Sequence, residues 1–284
     1  MLKGTELMVA RPRVLDHLGD YGKHEPMGAF SGLSERAWDL FHTVMGGHEK
    51  HDNSDRDYLI TRLMYISEGT STAIRLNASW ALTHPAMSLT RDRYEQIVRF
   101  SWLARQKDDT EMQKFFAYYH ARANKIFRSL KEGAKEQFSQ IVDDPPEWTT
   151  RVLTKEERQH FEAWETLDLL SMARKRDKLA AFGTSDIATQ LLEFYYAPIY
   201  QQFSSVSHSD MYSVALLELH KSPTGAFVLS ADPHWPATLV TFNALFDIIQ
   251  CYECAAGVYQ KDCEPHFQSL FGQWHAATIK AFGP

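Results

Sequence analysis

The chain has 284 residues, 44% of them hydrophobic and 23% charged, and its 17 Phe, 12 Tyr and 7 Trp can bury a sizeable core. That composition excludes disorder. Lys plus Arg total 30 against 36 Asp plus Glu, a formal charge of -6, so no global basic field draws the protein onto nucleic acid or anionic lipid, and only a local patch could do so.

Three Cys are too few for a disulfide framework, and their odd number fits a reducing compartment, so the expected location is the cytoplasm. The first twenty residues mix apolar side chains with Lys3, Glu6, Arg11, Arg13 and Asp16 and hold no secretory signal. The most hydrophobic long window, Pro236 to Tyr259, is interrupted by Asn243, Asp247, Gln250 and Glu253, each costly in hydrocarbon. It is expected to be a core helix, and no membrane partner is expected.

Helical spacing dominates the chain, without a fixed repeat or a strand pattern long enough to build a sheet. A first helix is expected from Ser34 to about Met45, stopped by Gly46-Gly47, and a longer one from near Asn53 to Trp80, weakened at Gly69. Pro85 opposes a helix through its own first turn, so Thr90 is expected to cap a fresh helix running to about Arg105. Thr110 to Gln113 reads as a capping box before the clearest amphipathic stretch, Met112 to Leu130. Asp143-Asp144-Pro145-Pro146 ends that segment. A second capping box, Thr154 to Glu157, opens a helical stretch whose basic end, Arg174 to Lys178, complements the helix dipole. Gly183 and Thr184 mark a restart, and a helix through Ile187, Phe194, Ile199 and Phe203 is expected to kink or divide at Pro198. Another helix follows Ser209. Lys221 to Pro236 reads as a surface excursion with an extended piece at Ala226 to Leu229, before two last helices ending near 257–262 and at Phe282. The expected fold class is all-α, a helical bundle over 53–284 with a Pro-containing loop near 143–150, an N-terminal helical extension over 1–52 and a C-terminal helical hairpin.

Several constellations could carry chemistry. Cys251, Cys254, Cys263 and His266 look like a zinc set, but a helix continuing to about Lys261 would hold Cys251 roughly 15 Å from the turn carrying the other pair. Zinc ligands must meet within about 2.0 to 2.3 Å of one ion, so buried helix thiols are the preferred reading and no metal ligand is assigned. Glu157 to His160 is the sole Glu-x-x-His pair of the kind a di-iron bundle uses twice, which favours a solvated capping segment. Nucleophile elbows, phosphate-gripping loops and dinucleotide fingerprints are absent, and no cofactor is expected. Arg91, Arg93, Arg99 and Arg105, with Trp102 interleaved, could contact phosphates and stack on bases, though Asp92, Glu95, Asp108 and Asp109 dilute that charge into what is otherwise a solvated face. Tyr200, Ser204 and His208 recur every four residues and could converge on a ligand, with the imidazole suited to proton transfer. The competing reading keeps them as satisfied polar groups between helices.

The order of an Arg-x-x-x-Glu helix (Arg91 to Glu95) leading to Phe100, Trp102 and Leu103, a long amphipathic helix, the Tyr200-Ser204-His208 element, a Pro-bearing excursion and a closing helix resembles a bacterial family of helical proteins catalogued only as a domain of unknown function. That family is similar to the HEPN-like (higher eukaryote and prokaryote nucleotide-binding) superfamily, over roughly Asn53 to Tyr259. The resemblance implies an all-helical, often dimeric bundle in a superfamily rich in metal-independent ribonucleases of toxin and phage-defence systems. Those enzymes use an Arg, then four to six residues, then a His. Here the residues five to seven before His208 are Phe203, Gln202 and Gln201, so the Arg is missing and the charge must come from elsewhere, such as Arg91 or Arg93.

The expectation is therefore a HEPN-like protein, a homodimer, that binds or processes RNA or nucleotides in bacterial defence or stress. His208 would be the general acid/base, Ser204 and Tyr200 would position substrate, Arg91 and Arg93 would bind phosphate, and Glu95 would orient them. The alternatives are a non-catalytic scaffold or interaction module and, third, a metal-dependent enzyme.

Overall fold

The structure, a computed structural model, describes residues 25–46, 55–129, 154–165, 168–207, 217–221, 227–231 and 234–283. The fold is all-α. Its helices are α1 (Met27–Met45), α2 (Asp55–Ser79), α3 (Thr83–Ala104), α4 (Thr110–Ser129), α5 (Lys155–Glu165), α6 (Leu169–Asp177), α7 (Gln202–Ser207), α8 (His234–Tyr252) and α9 (Glu264–Phe282). A 3-10 turn (Glu193–Tyr195) and a π turn (Tyr196–Gln201) lead into α7, and a second π turn (Glu253–Val258) follows α8. Contacts divide the chain into one unit of Met1–Arg105 with Ala173–Pro284 and another of Gln106–Met172.

In the larger unit α8 lies at the centre, packed by α1, α2, α3 and α9. Leu239, Val240, Leu245, Phe246, Ile248, Ile249 and Tyr252 are all fully buried. Apolar side chains point in several directions around this helix because it has neighbours on several sides. Its polar residues Asn243, Asp247 and Gln250 recur at steps of four and three and so form one stripe. The stripe meets polar partners: Asp247 Oδ2 accepts from Ser71 Oγ at 2.6 Å, Arg93 donates to Asp247 Oδ1 at 3.0 Å and also to Gln250, and Gln250 donates to Ser67 Oγ at 3.1 Å. Arg93, Asp247 and Gln250 are each 0% exposed, so every charge-bearing member is desolvated and depends on the others. One turn on, Glu253 accepts from Arg105 at 2.6 Å and from Arg176, which also bonds Asp177 at 2.8 Å. As expected from its interruptions, α8 is a core helix, and among the described residues no helix is long and apolar enough to cross a membrane.

Several boundaries differ from the sequence reading. The first helix begins at Met27, directly after Pro26. Thr90 caps nothing: α3 starts at Thr83, with Pro85 in the first turn, where a missing N–H has no intrahelical partner to lose, and the Thr90 hydroxyl donates back to the Ala86 carbonyl at 2.8 Å. Thr110 is itself the first residue of α4, and its N–H donates to the Asp108 carboxylate at 2.9 Å ahead of the helix. In the smaller unit the Thr154–Glu157 capping box forms as expected, with Thr154 N to Glu157 Oε2 at 2.7 Å and Glu157 N to Thr154 Oγ1 at 3.1 Å, and α5 packs on α4.

The helix expected through Ile187 to Phe203 is shorter. Residues 178–192 are irregular, and the helical run begins at Glu193. Pro198 cannot donate to the carbonyl four residues back, and the chain takes a π turn around it before resuming as α7. The helix expected after Ser209 lies outside the described residues up to 216, and 217–221 form a strand, β1 (Leu217–Lys221), which pairs antiparallel with β2 (Phe227–Ala231) in the register Leu217↔Ala231 to Lys221↔Phe227. Of the extended piece expected at Ala226 to Leu229, Phe227 to Leu229 lie in β2. Paired strands satisfy each other's backbone, and that pairing cannot be read from either segment alone. The Asp143–Pro146 stop lies outside the described residues.

Burial alone would push the Glu253 carboxyl up, but Arg176 and Arg105 beside it hold it below its ordinary value of 4.5. A carboxylate with a depressed folded pKa stabilises fully above the unfolded value and loses that contribution as pH falls through the folded one. Glu253→Gln, which leaves Arg105 without its carboxylate and Arg176 with that of Asp177 alone, should cost about 3 to 5 kcal/mol at neutral pH. Urea unfolding measured from pH 7 downward should show the gap between wild type and variant narrowing once the pH drops below about 4.5.

Candidate functional site

Asp177, at the end of α6, positions the 193–207 segment. Its carboxylate accepts from Leu192 N at 3.0 Å and Glu193 N at 2.8 Å, satisfying backbone donors at the start of the 3-10 turn. Tyr94 on α3 fastens the same segment by donating to the Leu192 carbonyl at 2.9 Å. Above it the rings of Tyr94, Tyr196 and Tyr200 gather, with Tyr196 stacked on Tyr200 at 5.2 Å and Tyr94 tilted against Tyr200 at 6.3 Å.

Arg91 closes this aromatic nest. Its Nε donates to Ser204 Oγ at 3.0 Å, an Nη reaches the Tyr200 hydroxyl at 3.4 Å, and the guanidinium carbon lies 5.0 Å from the Tyr200 ring centroid. Ser204 in turn donates to the Tyr200 carbonyl one turn back. The structure thus brings together Arg91, Tyr200 and Ser204 from segments more than a hundred residues apart. The Arg91 side chain keeps 22% of its surface exposed, so a ligand can reach it. Burial opposes its charge, but the Tyr200 hydroxyl and the carboxylates of Asp92 and Glu95 outweigh that and hold the guanidinium above its ordinary value. Burial also pushes Asp92 up, against the pull of Arg91.

The remaining expected members stand elsewhere. Arg93 is two residues from Arg91, a rotation of about 200° on a helix, and points into the core against Asp247 and Gln250. Glu95 accepts from Arg99 rather than from Arg91 or Arg93. His208 lies outside the described residues.

Cys251, Cys254 and Cys263 are buried free thiols, while His266 is exposed at the start of α9. Burial, with Asp262 and Glu264 nearby, pushes the Cys263 thiol up to about 11, away from the thiolate that a metal requires. Among the described residues no group of three or more His, Cys, Asp or Glu stands close enough to hold an ion.

A feature the sequence reading missed is a cavity of about 220 Å³ between α1, α2 and the second π turn, lined in part by Trp38, His42, Tyr65 and Glu68. The signal was present in Trp38, Phe41 and His42 at helical spacing, but its carboxylate comes from another helix, so the pair is visible only in the fold.

With this geometry in view, the comparisons give one answer. The chain belongs to a family of unknown function (DUF5677), whose model matches residues 57–224. No curated protein and no solved structure matches it. The match includes Arg91, Tyr200 and Ser204 and stops short of α8.

Asp177→Ala should raise amide hydrogen exchange across 193–207 and cost about 1 to 2 kcal/mol, because the segment loses its carboxylate anchor. Elemental analysis of the purified protein should find well under one zinc per chain, since the thiols and His266 do not converge.

Proposed function

We propose that the protein is a HEPN-like helical module that binds or processes RNA or nucleotides, acting as a cytoplasmic homodimer in bacterial defence or stress. The observation that supports this reading is the Arg91 guanidinium laid over Tyr200 beside the Ser204 hydroxyl, with part of its surface open to solvent. A planar cation beside an aromatic face and a hydroxyl suits a phosphate flanked by a base, the first through charge-assisted hydrogen bonds and the second through stacking. His208 follows Ser204 by four residues. As general base it would take the proton of an attacking 2′-hydroxyl while Arg91, in place of the Arg missing before His208, stabilises the charge on the phosphorane.

The test is fluorescence anisotropy with a labelled oligoribonucleotide, alongside a cleavage assay. Arg91→Ala should weaken binding about tenfold and lower the salt slope by about 1, whereas Arg99→Ala should change affinity less than threefold. Unchanged affinity in Arg91→Ala sinks the reading, and unchanged cleavage in His208→Ala removes its catalytic part.

A non-catalytic helical scaffold is the second reading, favoured by the burial of Arg93 in the core and the pairing of Glu95 with Arg99. It predicts that His208→Ala lowers stability by about 1 to 3 kcal/mol with no loss of any RNA-dependent signal.

A further inference from the structure

The cavity beside α1 brings aromatic side chains together with a carboxylate. Trp38, Phe41, His42 and Met45 on α1, Thr61, Met64, Tyr65 and Glu68 on α2, and Cys254 and Tyr259 at the second π turn line it. Its walls are largely aromatic and thioether groups, and among the described lining residues Glu68 is the one carboxylate and none is Lys or Arg. Two independent features therefore favour the same guest. A carboxylate with 14% of its side chain exposed attracts positive charge, and the electron-rich faces of Trp, Phe and Tyr attract a cation while also burying hydrocarbon.

Among the described lining residues an anion finds no Lys or Arg to receive it. A neutral apolar guest would strip water from Glu68 without replacing it. His42 stands beside this carboxylate. Its Nε2 stands 3.7 Å from Glu68 Oε1, beyond hydrogen-bond range, and a carboxylate has about four acceptor sites, so an ammonium can join the partners already present. The His42 ring is itself set in place by Trp38, stacked at 6.2 Å, and by Phe41 at 5.3 Å. Cys254, which also lines the cavity, sits in a π turn, a distortion that recurs at binding sites. Its volume, about 220 Å³, is below the roughly 300 to 1,000 Å³ of sites for drug-sized ligands, which limits the guest to a single ring or a short chain.

We propose that this cavity binds a small organic cation, one ammonium on a single-ring or short aliphatic body, with Glu68 as its counter-ion and Trp38, Phe41 and Tyr65 as its walls. The site is separate from the Arg91–Tyr200–Ser204 group, and either can fail without the other.

Isothermal titration of the full chain with three probes of equal shape and different charge tests it: phenethylammonium, 2-phenylethanol and phenylacetate. Phenethylammonium should bind at least about tenfold more tightly than 2-phenylethanol, and phenylacetate should not bind. Glu68→Gln should weaken the cation about tenfold and leave the alcohol unchanged, and Met45→Trp, which fills the cavity, should remove binding of both. If Glu68→Gln does not fold, judged by its thermal melt, the charge series and Met45→Trp decide the matter. The proposal is overturned by equal or tighter binding of the alcohol, by an unaffected Glu68→Gln, by an unaffected Met45→Trp, or by no binding of phenethylammonium up to about 10 mM.

Discussion

The polar stripe of α8 is the constraint on which the larger unit depends. Asn243, Asp247 and Gln250 on α8, and Glu253 in the π turn that follows it, are buried where water cannot serve them, and other helices must bring their partners. Ser71 and Ser67 come from α2, Arg93 and Arg105 from the third helix and its end, and Arg176 from α6. Hydrophobic burial would tolerate many ways of packing these helices. Pairing each buried charge tolerates far fewer, and one misplaced partner costs more than a lost methylene contact.

The same constraint sets the exposed chemistry. Because Arg93 is held against Asp247 and Gln250, α3 has a fixed rotation, and the residue two positions earlier is turned to the other side, onto Tyr200 and Ser204. Asp177 links both layers, since it meets Arg176 of the buried cluster and the amides of Leu192 and Glu193 that begin the segment carrying Tyr200. The family match covers the aromatic nest yet ends before the helix that anchors it, so the anchor lies in a part of the chain to which the match does not extend.

How much was legible in the sequence follows from the range of each interaction. The all-α class, the central position of the 236–259 window and the Thr154–Glu157 capping box depend on residues within a turn or two of one another, and patterning carried them. The start of α3 escapes patterning because Pro85 reads as a barrier, although a first-turn proline has no hydrogen bond to break. The β1–β2 ribbon requires two short segments to find each other, and neither alternates enough alone. At the candidate site, Tyr200 and Ser204 share a face by spacing, but grouping Arg91 with Arg93 ignored the rotation between residues two apart. The burial of Arg93 also depends on a partner more than 150 positions later. The His42–Glu68 cavity was invisible for the same reason, being assembled from α1, α2 and the turn after α8.

The two guanidiniums of Arg93 and Arg105 give the third helix a fixed phase as well as a fixed position. A single inserted residue between them would turn everything beyond it by about 100° and advance it by about 1.5 Å, so only one of the two could still face its carboxylate. Substitution on the outer face of this helix leaves that phase intact, whereas any change in its length between the anchors does not. Evolution of this chain should therefore accept new side chains there freely and new residues hardly at all, with insertions and deletions confined to the connections outside the two anchors.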